Sequence, residues 1–157
     1  MIRSLILLGL CLFVGVNAFS QIGCNKGNCL NGSGTYTFPG GARYNGEFKD
    51  GKMHGKGILY YADGSKYLGH WVEQERDGEG RMVFANGDEY LGFFKAGKFH
   101  GDGRMDYANG NSYEGQWRQG KPAGEGVYSF QSNDRYEGQL ANGLFHGSGL
   151  HGPCRRL

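Results

Sequence analysis

The chain has 157 residues, of which 31 are glycine, only 3 are proline and 14% are aromatic. That glycine share is about three times the ordinary value of roughly 7%, but so many rings exclude a disordered glycine-rich tail, and so little proline excludes collagen and proline-rich linkers. The formal net charge of +2, from 17 Lys and Arg against 15 Asp and Glu, gives no global pull toward nucleic acid or an anionic membrane.

Residues 1–20, MIRSLILLGLCLFVGVNAFS, are a text of their own. Arg3 supplies a short positive end, Leu5 to Val16 form an apolar run, and Ala18-Phe19-Ser20 ends in a small-x-small pattern. This reads as a secretory signal cleaved before Gln21, with export to a periplasm or the outside. The rival is a retained membrane anchor, but the run is 12 residues, short of the roughly 20 needed to span a bilayer. After cleavage three cysteines remain. An oxidising compartment favours a disulfide between Cys24 and Cys29, which are close in sequence, and leaves Cys154 to tie the last element or to link a dimer. Zinc is disfavoured, because no second close Cys or Cys/His pair follows.

From Tyr44 onward the sequence repeats every 23 residues. Blocks begin at Tyr44, Tyr67, Tyr90, Tyr113 and Tyr136. Glycine lies two residues on in each, and Phe48, Trp71, Phe94, Trp117 and Leu140 lie two further on. A Gly-x-Gly follows, from Gly55 and Gly57 to Gly147 and Gly149. A degenerate block at Gln21 keeps Gly23, Gly32, Gly34 and Gly41 in register. A fixed period of this size predicts a stacked repeat architecture. Within a block the period is two: Tyr44, Gly46 and Phe48 share one strand face, Asp50-Gly51 turns the chain, and Gly55, Gly57, Leu59 and Tyr61 line one face of a second strand. Ala62-Asp63-Gly64 and its equivalents make the next turns. Each block is thus a β-hairpin with one aromatic face, and stacking is what makes it stable.

The pattern Tyr-x-Gly-x-Trp/Phe-x-x-Gly-Lys-x-His-Gly-x-Gly resembles the MORN repeat (membrane occupation and recognition nexus), over about residues 21–150. The resemblance implies an all-β fold: an elongated, twisted single-layer antiparallel sheet of stacked hairpins, solenoid-like, with an aromatic-rich groove along one side. It also implies a non-catalytic scaffold, with phospholipid as a ligand proposed for several members. Gln74 and Asp77 replace the turn glycine and the His of one block, and Ala123 and Asn133 depart from another. The expected layout is a signal over 1–20, a degenerate repeat or cap over 21–43, repeats over 44–66, 67–89, 90–112, 113–135 and 136–150, and a tail over 151–157.

Several motifs imitate chemistry. Gly46-x4-Gly51-Lys52 and its copies resemble a phosphate loop but lack the following Ser or Thr and the helix. Gly147-Ser148-Gly149-Leu150-His151-Gly152 matches a dinucleotide pattern that works only between a strand and a helix. His54, His100 and His146 share a column, yet alternate repeats lie roughly 19 Å apart, far beyond the 2.1 Å or so of a zinc ligand; hydrogen bonds to hairpin backbone are the expected role. No nucleophile–base set stands out, so no enzyme, cofactor, metal, nucleic acid or small-molecule substrate is expected.

The aromatic columns are what remains. A single layer leaves rings at its concave side open to a protein partner, with Tyr44, Tyr67, Trp71, Tyr90, Tyr113, Trp117 and Tyr136 as the expected groove. Membrane lipid is the alternative ligand, through Lys98, Lys121, Arg155 and Arg156, but both basic columns are broken. Open sheet edges, or Cys154, would make a dimer.

Overall fold

The computed structural model describes residues 22–153, with residues 148–153 described by their backbone alone. The expected signal, Cys154, Arg155 and Arg156 lie outside the described residues.

Twelve strands form one antiparallel sheet in strict chain order. They are β1 (Gly23–Gly27), β2 (Gly32–Thr37), β3 (Arg43–Lys49), β4 (Lys52–Tyr60), β5 (Lys66–Val72), β6 (Glu75–Val83), β7 (Glu89–Lys95), β8 (Lys98–Asp106), β9 (Ser112–Arg118), β10 (Lys121–Ser129), β11 (Asp134–Ala141) and β12 (Leu144–Pro153). Among the described residues there is no helix. The all-β, single-layer hairpin stack expected from the sequence is the observed fold.

Two kinds of turn alternate. At one end, tight two-residue turns place both central residues at positive φ, as at Asp50 (49°) and Gly51 (74°), the geometry that follows the natural twist of a hairpin. Glu73 and Gln74 keep it, at 50° and 73°, without a glycine. Their turn is held by its neighbour: the Gln74 N–H donates to the Met53 carbonyl at 3.0 Å, and Gly51, Gly97, Gly120 and Gly143 bond likewise to the preceding repeat. At the other end, three-residue loops such as Ala62-Asp63-Gly64 are closed by Tyr61 N–H to Ser65 carbonyl at 2.9 Å. Here Ser65 Oγ, Asp88 Oδ1 and Asn111 Oδ1 accept from the Ala85, Ala108 and Gln131 N–H groups of the next loop. Both ends of the sheet therefore carry bonds from repeat to repeat, besides the strand ladder.

Register brings the glycines into one row. Gly34, Gly46, Gly57, Gly69, Gly80, Gly92, Gly103, Gly115, Gly126 and Gly138 are successive cross-strand partners. The row beside it alternates large side chains: Tyr44, Leu59, Tyr67, Met82, Tyr90, Met105 and Tyr113. The core sits over these two rows, on one face only.

One expectation needs correction. Gly55 does not continue the alternation of Gly57 and Leu59. Between β3 and β4 the register jumps, from Gly46 opposite Gly57 to Glu47 opposite His54. Gly55 and Lys56 form a bulge with Gly55 at a φ of +59°, a conformation that costs a glycine little and other residues more. Tyr61 lies just beyond the end of β4, half-buried against the core.

Cys24 and Cys29 are joined as a disulfide, with their Cα atoms 5.9 Å apart. It clips β1 to the loop that leads into β2, at the first hairpin of the sheet.

Candidate functional site

The seven rings expected to line an open groove are buried. The tyrosines at 44, 67, 90, 113 and 136 are 0–1% exposed, and Trp71 and Trp117 are 3% and 4% exposed. The sheet supplies its own second layer, because each ring folds flat along its strand instead of standing up from it. Tyr44 lies over Gly46 and Gly57. A Cβ at Gly57 would stand 2.1 Å from the Tyr44 hydroxyl oxygen, and one at Gly46 2.5 Å from it. Tyr67, Tyr90 and Tyr113 sit over their own glycine pairs in the same way.

The hydroxyls explain why the residue is Tyr rather than Phe. Each hairpin bulge interrupts pairing, and a buried carbonyl without a donor is costly. The five hydroxyls donate to the carbonyls of Glu47, His70, Phe93, Gln116 and Gln139, at 2.9–3.1 Å, three residues on in every case. The rings also couple neighbours. Tyr44 meets Phe48 of its own repeat edge-on at 5.1 Å and Trp71 of the next at 5.6 Å. Tyr67 meets Trp71 and Phe94, and Tyr90 meets Phe94 and Trp117, in the same edge-to-face manner, the favoured geometry for ring quadrupoles. The indole N–H groups of Trp71 and Trp117 donate back to the carbonyls of Gly57 and Gly103, at 3.4 and 3.0 Å.

Burial pushes the Tyr67 and Tyr113 hydroxyls up to about 12, and it raises those of Tyr44 and Tyr90 as well. A free tyrosine ionises near 10. Below that pH both folded and unfolded chains hold the proton, and the tyrosines' contribution to stability is complete. Between about 10 and 12 the unfolded chain ionises first, so stability falls as pH rises. Alkaline titration should therefore show the tyrosinate absorbance of these four residues appearing together with loss of the sheet's circular dichroism. Titration of all tyrosines near 10, with the sheet intact, would contradict this.

His54 does not serve as expected. His54 Nδ1 is buried without a hydrogen-bond partner among the described residues. The backbone-capping role belongs to the oxygen-bearing members of its column. Asn31 Oδ1 accepts from the Asp50 N–H at 2.9 Å, and Asp77 Oδ2 from the Ala96 N–H at 3.3 Å. Asp77 is thus a working substitute rather than a worn position. Among the described residues, no three His, Cys, Asp or Glu side chains are grouped to hold a metal ion.

Arg76 is a residue that sequence reasoning missed. It stands where other repeats place Met53 or Phe99. Its guanidinium lies 5.8 Å from the centre of the Tyr67 ring and 5.4 Å from that of Phe94, and donates to the Gly97 carbonyl at 2.7 Å. The aromatic neighbours on both sides were the available signal, since a guanidinium packs on ring faces.

The cations are widely engaged. Lys98 Nζ donates to Gln119 Oε1 at 3.0 Å, and Lys52 pairs with Glu73. Arg81 pairs with Glu89 at 2.6 Å, and Arg104 with both Asp106 and Glu114. Lys121 is exposed. The face opposite the core carries apolar side chains among these charges: Leu68, Leu91 and Phe93 are 48%, 58% and 45% exposed.

No curated protein matches the chain. The MORN repeat family matches residues 30–43, 44–66, 67–89, 90–112, 113–135 and 136–151. Those segments cover most of the sequence, and the ones that begin at 44, 67, 90 and 113 each open on a tyrosine seated over glycines. The chain belongs to the MORN-repeat family.

Proposed function

We propose that this protein is a non-catalytic scaffold that is exported and binds another protein through the outer face of its sheet. MORN repeats are in general protein- or membrane-interaction modules, and one observation favours protein here. The core face is filled by the chain's own rings, so the surface on offer is the opposite face. There Leu68, Leu91 and Phe93 are exposed between charged residues that are largely paired with one another. Apolar anchors inside a polar surround are what a protein partner uses. Export rests on the leader-like residues 1–20.

Peripheral lipid binding is the alternative. It would depend on Lys98, Lys121, Arg155 and Arg156, each worth about 1 kcal/mol near an anionic surface, and Lys98 already has a partner in Gln119. Vesicle flotation with neutral and anionic lipid, at low and physiological salt, separates the two. The scaffold reading expects no flotation at physiological salt, where surface attraction is screened. It also expects proteins captured from the exported fraction to be lost with Leu91→Glu and Phe93→Glu. Flotation that survives salt, or capture indifferent to both changes, would overturn it.

A further inference from the structure

The position shared by Asn31, His54, Asp77, His100 and His146 is Ala123 in one repeat. Where this column carries an oxygen acceptor, it bonds the N–H of the first residue of the next tight turn, Asp50 or Ala96. The corresponding turn residue after Ala123 is Asn142, at a φ of 53°. A methyl group has no acceptor to offer it.

Ala123 borders a cleft of about 700 Å³ between the ends of β8, β9, β10 and β11. His100, Gln116, Arg118, Lys121 and Asn142 line it, and Asp102 is its one acidic residue. Arg118, Lys121, Gln116 and Asn142 are exposed, so their polar ends are available. Trp117 and Leu140 also border it, but their side chains turn to the core face, so the cleft is lined mainly by polar groups. This volume falls in the range of ligand sites, roughly 300–1,000 Å³, and its lining is polar and net cationic.

We propose that this cleft binds a carboxylate of the protein partner, whose oxygen takes the place of the acceptor that Ala123 lacks. The inference rests on the scaffold reading and names its contact point. Two full cations against one acid favour an anion. A carboxylate suits this set, because one oxygen can accept from the Asn142 N–H while the other meets a cation, a charge-assisted pairing. A dianionic phosphate would bring more charge close to Asp102. The Gln116 and Asn142 side chains offer amide groups for the peptide backbone that carries the carboxylate.

The test is amide NMR on the protein in the form that cells accumulate. Four probes are titrated: an end-blocked Glu-rich peptide, a Gln-rich peptide with a free C-terminus, the same Gln-rich peptide end-blocked, and inorganic phosphate. The two carboxylate arms distinguish a side chain from a chain terminus. Saturable shifts of the Asn142 and Gly143 amides are expected with at least one carboxylate peptide and not with the blocked Gln peptide. Lys121→Gln should weaken that binding by about tenfold. Ala123→Asp, which restores the acceptor within the chain, should abolish it while the remaining spectrum stays native. If Ala123→Asp does not fold, Lys121→Gln decides. No shift with either carboxylate, equal shifts with the blocked Gln peptide, indifference to the variants, or shifts with phosphate alone would overturn the proposal. No partner is needed in these titrations, so their failure removes this site and leaves the scaffold to the capture experiment.

Discussion

Replacing Tyr90 by Ala should lower stability by about 3–5 kcal/mol, the range for deleting a large buried ring. Tyr90 lies in the densest part of the array. It stacks on Phe99 at 3.9 Å and meets Phe94 and Trp117 edge-on at 5.2 and 5.1 Å. Its hydroxyl also supplies the donor for the Phe93 carbonyl, and Ala leaves that group unmet. The loss falls on the middle of the sheet, where strands on both sides depend on the same ring. A large part of a domain's usual margin of roughly 5–15 kcal/mol is at stake. Denaturant unfolding should show the whole array shifting to a lower midpoint; an unchanged midpoint would mean that the ring is not what joins the repeats. Tyr90→Phe separates the two contributions. It keeps the ring and loses only the hydrogen bond, so its cost should be about 1 kcal/mol.

Gly103→Ala should be nearly as damaging, although it adds only a methyl group. The new Cβ would stand 2.3 Å from the Tyr90 hydroxyl oxygen and 2.6 Å from the ring carbon that bears it. No real contact is that short, so the ring must leave its seat or the strands must part. The backbone offers little room, since Gly103 is paired with Gly92 on one side and Gly115 on the other. The cost should reach or exceed the roughly 1–3 kcal/mol typical of overpacking. A comparable methyl at Gly64, in an open turn where nothing lies within 4 Å, meets no neighbour at all. Its effect is then confined to the backbone, whose φ of +91° favours glycine. If Gly103→Ala proved harmless, the glycine row would be a matter of turn-making rather than of seating rings.

The repeat period, the strand phase of Tyr44, Gly46 and Phe48, and the turn at Asp50-Gly51 were all legible in the sequence, because each is written as a local alternation or a turn pair. The bulge at Gly55 and Lys56 was not. It inserts two residues, and an even insertion leaves the in–out alternation of Met53, Gly57 and Leu59 undisturbed. The fate of the rings was illegible for a different reason. A tyrosine on a strand face can stand up toward a partner or lie down over a glycine, and the column pattern is the same in both cases. The glycine row held the answer, but only register shows that Gly46, Gly57 and Gly69 are neighbours. The cleft at Ala123 was visible as a departure from pattern. Its meaning depends on Asn31 and Asp77 reaching across to the next repeat's turn, some 19 positions on in sequence.

In the hairpins opened by Tyr44, Tyr67, Tyr90 and Tyr113 a tyrosine is seated on two glycines, and the rings of the first three join their hairpin to the next. A double-mutant cycle on Tyr90 and Gly103 tests this seating most directly. With the ring gone, the methyl at residue 103 has nothing to strike and partly fills the space left behind. The variant carrying both Tyr90→Ala and Gly103→Ala should therefore be more stable than the sum of the single losses predicts, by more than about 1 kcal/mol, as expected for residues in direct contact. Additive losses within about 0.5 kcal/mol would show that the ring and the glycine act independently, and would contradict the seat that these four repeats share.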